Sequence, residues 1–420
     1  MADDVLRLAE RLFTGEIAVD DHNPVAAPRM EIVEVADGVA FVNSFANVSA
    51  FTTGDGLVLV DTGSPFTART SFDQVRSWTS ERLDTAVYSH GHIDHVFGVP
   101  VYEEEATRNG WQSPTVVAHE ALPDRFDRYV LTAGYNAAIN RRQFGADHLD
   151  WPTDYRYPDE TYRDRLDVEV GGERFELHHA RGETDDHTWT WIPGRQVLCS
   201  GDLVIWATPN AGNPQKVQRY AREWAIALRD MASLGAEILL PGHGLPVIGA
   251  DRIQTLLTDT AELLESIHDQ TVALMNQGAT LDEVIHGVEM PAHLLEKPWL
   301  RPVYDDPEFI VRNVWRLYGG WYDGEPSSLK PAPARELAAE VAALAGGAER
   351  LADRALALAA EGRLRLAGHL AELAAAAAPD DRGVHRARAE VNEARVAAEP
   401  SLMAKGVFGA AARDSRAKSS

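Results

Sequence analysis

The chain has 420 residues and carries 64 acidic against 40 basic side chains, a formal charge of −24. This length calls for two or three domains with ample core, and a hydrophobic fraction of 45% is ordinary for a globular protein. The charge balance makes the basic face that nucleic acid requires hard to assemble, and the single cysteine, Cys199, excludes a disulfide framework within one chain.

Residues Met1 to Glu10 are acidic at their start and amphipathic, without the basic stretch and apolar core of a signal peptide. No segment reads as a membrane span, so the expectation is a soluble, cytoplasmic protein. Leu57-Val58-Leu59-Val60 reads as a buried strand that ends in the turn Asp61-Thr62-Gly63. Thr85 to Ser89 is a second short strand, and it delivers His90-Gly91-His92-Ile93-Asp94-His95 at its C-terminal end, where α/β proteins gather their sites.

That six-residue run holds four metal-ligand side chains. Imidazoles and a carboxylate on one loop can hold two divalent cations about 3.5–4 Å apart, an arrangement that generates hydroxide at neutral pH and clamps an ester oxygen. A histidine-rich surface loop is the plain alternative, and the rest of the pattern argues against it. Downstream, Gln196 to Ser200 leads into Gly201-Asp202, and Ile238-Leu239-Leu240 leads into Pro241-Gly242-His243-Gly244. Four apolar strands therefore each end in a ligand-type residue. Cys199 lies inside one of them as a small buried hydrophobe.

From about Pro331 to Pro400 the chain is rich in Ala, Leu, Glu and Arg. Leu337, Val341, Leu344, Leu351, Ala355 and Leu358 recur at helical spacing, and Gly362 and Pro379 punctuate antiparallel helices. The tail from Ser401 to Ser420 is basic and is expected to fray beyond residue 413.

The ordered landmarks between residues 30 and 250 resemble the metallo-β-lactamase superfamily. They are an Asp after an early strand, H-x-H-x-D-H, a third ligand, a Gly-Asp pair and a final His. In Ala180-Arg181-Gly182-Glu183-Thr184-Asp185-Asp186-His187, Glu183 occupies the place of the third ligand, as in the type III alkylsulfatases, which put a Glu where the superfamily commonly has His. His187 is the rival for that place, and Asp185 and Asp186 read as loop acids or partners of ligands. Residues 267–280 and 317–326, the latter containing Trp321-Tyr322-Asp323-Gly324, are similar to the linker and opening of the alkylsulfatase dimerisation domain.

The resemblance implies a metallo-β-lactamase αββα sandwich followed by an all-α dimerisation domain. Its expected divisions are a lead-in over 1–29, a catalytic domain over 30–250, a helical linker over 251–330 and the dimerisation domain over 331–420. It implies a homodimer with two Zn²⁺ per chain, while the mixed nitrogen and oxygen ligands also tolerate Mn²⁺ or Fe²⁺. His90, His92 and Glu183 are assigned to the first metal, Asp94, His95 and His243 to the second, and Asp202 bridges them. Asp94 and Asp61 are the candidate catalytic acids, with Asp61 orienting a ligand histidine or its loop. A metal-bound water that ionises near neutral pH is the implied nucleophile, so no catalytic Ser or Cys is needed.

The stretch Tyr129 to Gly145 resembles the alkylsulfatase helix that ends in an Arg-Arg pair. Tyr135, Asn136, Asn140, Arg141 and Arg142 are accordingly the candidates for binding an oxyanion, and any one of them could equally be a helix-face residue making a salt bridge. Three departures bear on the substrate. The family's Arg after the bridging acid is missing, since Asn210 to Lys216 holds no Arg before Arg219. The bridging acid is Asp202 where close family members have Glu. The reading also expects no sterol-carrier-like domain after the dimerisation module. The implied function is hydrolysis of a sulfate ester or a similar small ester. The alternatives are a lactonase, thioesterase or phosphoesterase on the same fold, or an inactive dimeric scaffold.

Overall fold

The computed structural model describes residues 4–146 and 148–419. Its contacts divide the chain into two compact units. The first comprises Met1–Ala133, Trp151–Gln277 and Val284–Tyr318, and the second Gly134–Asp150, Gly278–Glu283 and Gly319–Ser420. The stretch read from sequence as a linker over 251–330 is thus shared out rather than separate. Its long helix, Ala250–Asn276, buries Ile253, Leu256, Leu257, Leu264 and Ile267 within the first unit.

Two mixed sheets flanked by helices make up the first unit. One sheet runs in chain order through β1 (Glu31–Ala36), β2 (Val39–Asn43), β3 (Val48–Thr52), β4 (Leu57–Val60), β5 (Leu83–Val87), β6 (Thr115–His119) and β7 (Glu160–Tyr162). The other is formed by β8 (Arg165–Val170), β9 (Glu173–His179), β10 (Thr188–Ile192), β11 (Val197–Gly201), β12 (Ile238–Pro241) and β13 (Val247–Ile248). Helix residues Phe72, Val75, Tyr102, Leu122 and Phe126 pack on the first sheet against Leu57, Leu59, Ala86 and Val116. Phe51 of β3 meets Phe175 of β9 edge to face, with 5.4 Å between ring centroids. Strands covered in this way need not alternate in polarity, which is why β4 and β12 read as continuous apolar runs.

The placement of the site follows from strand direction. β4 and β5 pair in parallel in one sheet, and β11 and β12 pair in parallel in the other. Each parallel pair brings two C-terminal ends side by side, and these are the ends that carry Asp61, the histidine loop, Asp202 and His243. Two asparagines join the sheets at this edge. Asn43 Nδ2 donates to Gly244 O at 2.8 Å, while Asn47 donates from its backbone to Gly242 O at 2.8 Å and from Nδ2 to Pro241 O at 3.0 Å.

The second unit is helical. Its C-terminal part contains Ala334–Ala345, Ala348–Ala360, Leu364–Ala377, Arg382–Ala398 and Leu402–Ser419. Gly346, at φ +87°, ends the first of these in the left-handed conformation. Leu351, Ala355 and Leu358 are buried as their spacing predicts, but Leu337 and Leu344 are 56% and 89% exposed. The inward face of that helix is formed by the small residues Ala338 and Ala342, which leaves the two leucines one above the other on the outer side. The tail does not fray at residue 413. Its last helix continues to Ser419, burying Met403, Ala404, Ala412 and Ser415 and pairing Arg416 with Glu393 at 2.6 Å. Among the described residues no helix is long and apolar enough to cross a membrane.

Gly98 tests how closely the turn after β4 must approach the histidine loop. A Cβ there would lie 2.0 Å from the carbonyl oxygen of Thr62, whose own backbone N–H donates to His95 O at 2.8 Å. Gly98→Ala is therefore expected to cost about 1–3 kcal/mol in urea unfolding, as overpacking of a close contact does. An unchanged midpoint would show that the turn yields freely.

Candidate metal centre

Asp61 begins the site at the end of β4, in a left-handed backbone conformation at φ +60°. Its Oδ1 accepts the Ser89 backbone N–H at 2.7 Å, and its Oδ2 accepts the Ser89 hydroxyl at 2.8 Å. The same Oδ2 lies 2.8 Å from His95 Nδ1, which places the imidazole hydrogen on Nδ1 and leaves the lone pair on Nε2. Having given its hydrogen to Asp61, Ser89 Oγ can only accept from His90 Nδ1, 2.9 Å away. His90 Nε2 is left bare as well. His243 is fixed in the same sense by Nδ1–H to the carbonyl of Phe45.

The faces left open converge. His90, His92, Glu183 and Asp202 form one group of ligand-type atoms, and Asp94, His95 and His243 form a second. Glu183 Oε2 lies 3.7 Å from His90 Nε2 and 3.5 Å from His92 Nδ1. His243 Nε2 and His95 Nε2 lie 3.5 and 3.6 Å from Asp94 Oδ2. Asp202 reaches both groups, with Oδ2 3.6 Å from His90 Nε2 and 3.2 Å from His243 Nε2, and Oδ1 3.3 Å from His95 Nε2.

These distances test whether the residues fit metal ions. Ligands about 2.0–2.2 Å from a tetrahedral cation stand about 3.3–3.6 Å from one another, close to the separations between these side chains. His95 Nε2, Glu183 Oε2 and Asp202 Oδ1 are buried atoms without hydrogen-bond partners, and all three face this space. His90 Nε2 and His92 Nδ1 are 2.8 Å apart, which requires a proton or a cation between two nitrogens. The donor set fits two divalent cations.

Electrostatics divide the imidazoles. Burial, helped by His95 and His92, pushes His90 well below the ordinary histidine range and keeps it neutral. Burial opposes protonation of His95 too, but Asp202, Asp61 and Asp94 together raise its pKa well above that range, so its Nε2 lone pair becomes available where a cation takes the place of the proton. Asp202 is held well below the carboxylate range because His243, His95 and His90 outweigh the cost of its burial.

Glu183 and His187 are placed differently. Glu183 lies beside His90 and His92, whereas His187 accepts the backbone N–H of Asp202 through Nε2 at 3.1 Å. His187 also stacks on His90 at 5.1 Å, and burial lowers its pKa to about 3. Gly201 permits this arrangement, being at φ +50° with His187 Nε2 only 2.7 Å from where a Cβ would stand. Asp186 turns out to brace the histidine loop. It accepts the Gly91 N–H at 2.8 Å and pairs with the buried Arg125 at 2.7 Å, and Arg125 also pairs with Asp185.

The candidates for oxyanion binding share one helix of the second unit. The expected continuous helix is interrupted at Thr132, and Tyr135, Asn136, Asn140, Arg141 and Arg142 sit on Ala133–Phe144, within the second unit. Tyr135 is exposed. Asn140 Nδ2 donates to Asn136 O at 2.8 Å, and Arg141 donates to Leu149 O at 2.8 Å and pairs with Asp150 at 2.9 Å. These bonds serve the helix and the turn after it.

Four residues that sequence reasoning passed over surround the metal-ligand groups. Arg219 and Asn210 both donate to Glu183 Oε1. Lys216 lies over the Trp151 ring at 5.6 Å, and desolvation brings its pKa down to about 8 against the pull of Asp94 and Glu183. Tyr304 is pushed well above the ordinary tyrosine range by burial and by Glu183, Asp94 and Asp202. Only Asn210, Lys216 and Arg219 had a sequence signal, as members of the segment where the family's Arg is missing.

Comparison with known proteins agrees with this architecture. Residues 42–243 match the metallo-β-lactamase superfamily, and residues 280–418 match the alkyl sulfatase dimerisation family. A linear primary-alkylsulfatase from a Pseudomonas species is 30% identical over 319 residues, covering 71% of this chain and 60% of the relative. The chain belongs to the alkylsulfatase family. An (R)-specific secondary-alkylsulfatase from Pseudomonas sp. is 25% identical over 374 residues, covering 83% of this chain and 56% of its own length. The solved structure of a stereoselective inverting sec-alkylsulfatase from Pseudomonas sp. superimposes with a TM-score of 0.81 at 24% identity, over 91% of this chain and 65% of that one. The chain spans less than two thirds of the length of these relatives.

Asp61→Asn offers a test of the hydrogen-bond chain behind the histidines. Losing the carboxylate is expected to weaken zinc retention by about 10–100-fold in chelator competition while the circular dichroism spectrum is kept. Unaltered retention would show that His95 and His90 hold their orientation without it.

Proposed function

We propose that the protein is a two-metal hydrolase of sulfate esters. The observation that carries this reading is the pair of ligand groups sharing Asp202, on a chain of the alkylsulfatase family. His90, His92 and Glu183 would hold one cation, and Asp94, His95 and His243 the other, with Asp202 common to both. Mixed imidazole and carboxylate ligands suit zinc and also tolerate manganese or iron, and it is the family resemblance that favours zinc. Two such cations supply a water acidic enough to ionise near neutral pH and positive charge for the ester oxygens.

The chain's own residues do the rest. Asp61 and Ser89 keep the imidazole lone pairs of His95 and His90 turned inward. A formal charge of −24 repels an anionic ester at long range, so attraction has to be local. Lys216 provides a protein cation within electrostatic reach of Asp94 and Glu183 and is the residue we assign to the sulfate group. The Tyr304 hydroxyl keeps its proton through the neutral range.

A steady-state comparison of a short alkyl sulfate, a lactone, a thioester and a phosphodiester on the zinc-loaded protein tests the substrate class. Sulfate release from the first, faster than turnover of the other three, is expected. Turnover of another ester without sulfate release would reassign the activity within the superfamily.

We further propose a homodimer built on the second unit, supported by the dimerisation family match and by the exposed leucines. Covering each leucine is worth about 1.5–3 kcal/mol. The Leu337→Asp/Leu344→Asp double variant should move the protein from dimer to monomer in light scattering. A dimer of unchanged mass would place the contact on another face.

A further inference from the structure

We propose that Arg219 is a positioning residue that commits one oxygen of Glu183 to the first metal and cancels the charge Glu183 adds there; this rests on the two-metal reading above. Arg219 is 1% exposed. Its Nη2 donates to Glu183 Oε1 at 3.1 Å, its Nε donates to Asn210 O at 3.0 Å, and Nη1 to Val217 O at 3.3 Å. Asn210 Nδ2 donates to the same Oε1. Two donors therefore occupy Oε1 from behind. Oε2 has no hydrogen-bond partner and faces His90 and His92.

A carboxylate has two equivalent oxygens and in a roomy site can present either or both. Here the asymmetry is built by the protein, because only Oε2 lacks donors. Charge follows the same logic. A Glu in place of a neutral His adds one negative charge to the first ligand group, and an anionic ligand makes a bound cation a weaker acid. The guanidinium, always protonated and fully desolvated beside Oε1, returns the balance to that of a site with a neutral ligand. Arg219 is also the first arginine after the bridging acid, and in this fold it is aimed at Glu183. That leaves the anion-binding role in this segment to Lys216.

The test is the zinc affinity of the full chain, equilibrated with zinc against graded chelator, in a two-by-two set of variants. Wild type should retain two zinc ions. Arg219→Met should weaken one of them by about 10–100-fold and leave the other unchanged, with Arg219→Lys recovering part of the loss. In a Glu183→His background, where no carboxylate needs a partner, Arg219→Met should weaken neither. Equal losses in the two backgrounds, or no loss with Glu183 present, would overturn the proposal by making Arg219 structural or irrelevant. Should Arg219→Met alone fail to fold, a folded Glu183→His/Arg219→Met protein shows the same coupling, and failure of both refutes it. Fewer than two zinc ions in wild type would refute instead the two-metal reading on which the proposal stands.

Discussion

Four imidazoles and four carboxylates lie within a few ångströms of one another at one edge of the first unit, in a space largely withdrawn from water. Burying so many polar groups is tolerable only if each has a partner or an ion to face. The structure meets this constraint by giving almost every ligand-type side chain one occupied end and one open end. Asp61 and Ser89 occupy the far sides of His95 and His90, Phe45 that of His243, and Asn210 with Arg219 that of Glu183. What remains open points inward. The site is thus defined as much by the donors and acceptors behind it as by the ligands themselves.

Glu183 and Arg219 show how closely charge is managed. Both are buried, and removing either leaves an uncompensated charge, a loss of about 3–5 kcal/mol in comparable pairs. A carboxylate at this position is therefore not an isolated replacement of histidine. It comes with a cation from a loop 36 residues away in sequence, and that loop also supplies Asn210 and Lys216. The proposed ligand Glu183 and the residue proposed for the sulfate group, Lys216, thereby depend on one segment.

The fold and the ligand groups were legible in the sequence because their signals are dense and local. Apolar runs of four or five residues each stopped at a ligand-type residue, and H-x-H-x-D-H is informative within a single turn. The supporting residues were not legible. Arg125, Asn210, Arg219 and Tyr304 act across loops with no periodicity, and nothing in the chain marks their partners. The helical region erred in a different way. Spacing identified Leu337 and Leu344 as apolar positions on a helix, but small Ala338 and Ala342 took the inner face, and periodicity cannot tell which of two apolar stripes is covered. The tail looked frayed by charge alone, yet its charges are paired, Arg416 with Glu393 and Lys418 with Asp414.

Asn43 and Asn47, which reach from the first sheet to Pro241, Gly242 and Gly244 beside His243, have a bearing on how the centre is assembled. Amides carry no titratable proton in the accessible range, and the Nδ2 donors of these two are committed to backbone carbonyls. The gap between the two halves of the ligand set is therefore spanned by bonds indifferent to both acidity and chelation. Ions entering this edge would meet two sheets already joined beside His243 by bonds that need neither a proton nor a cation to form.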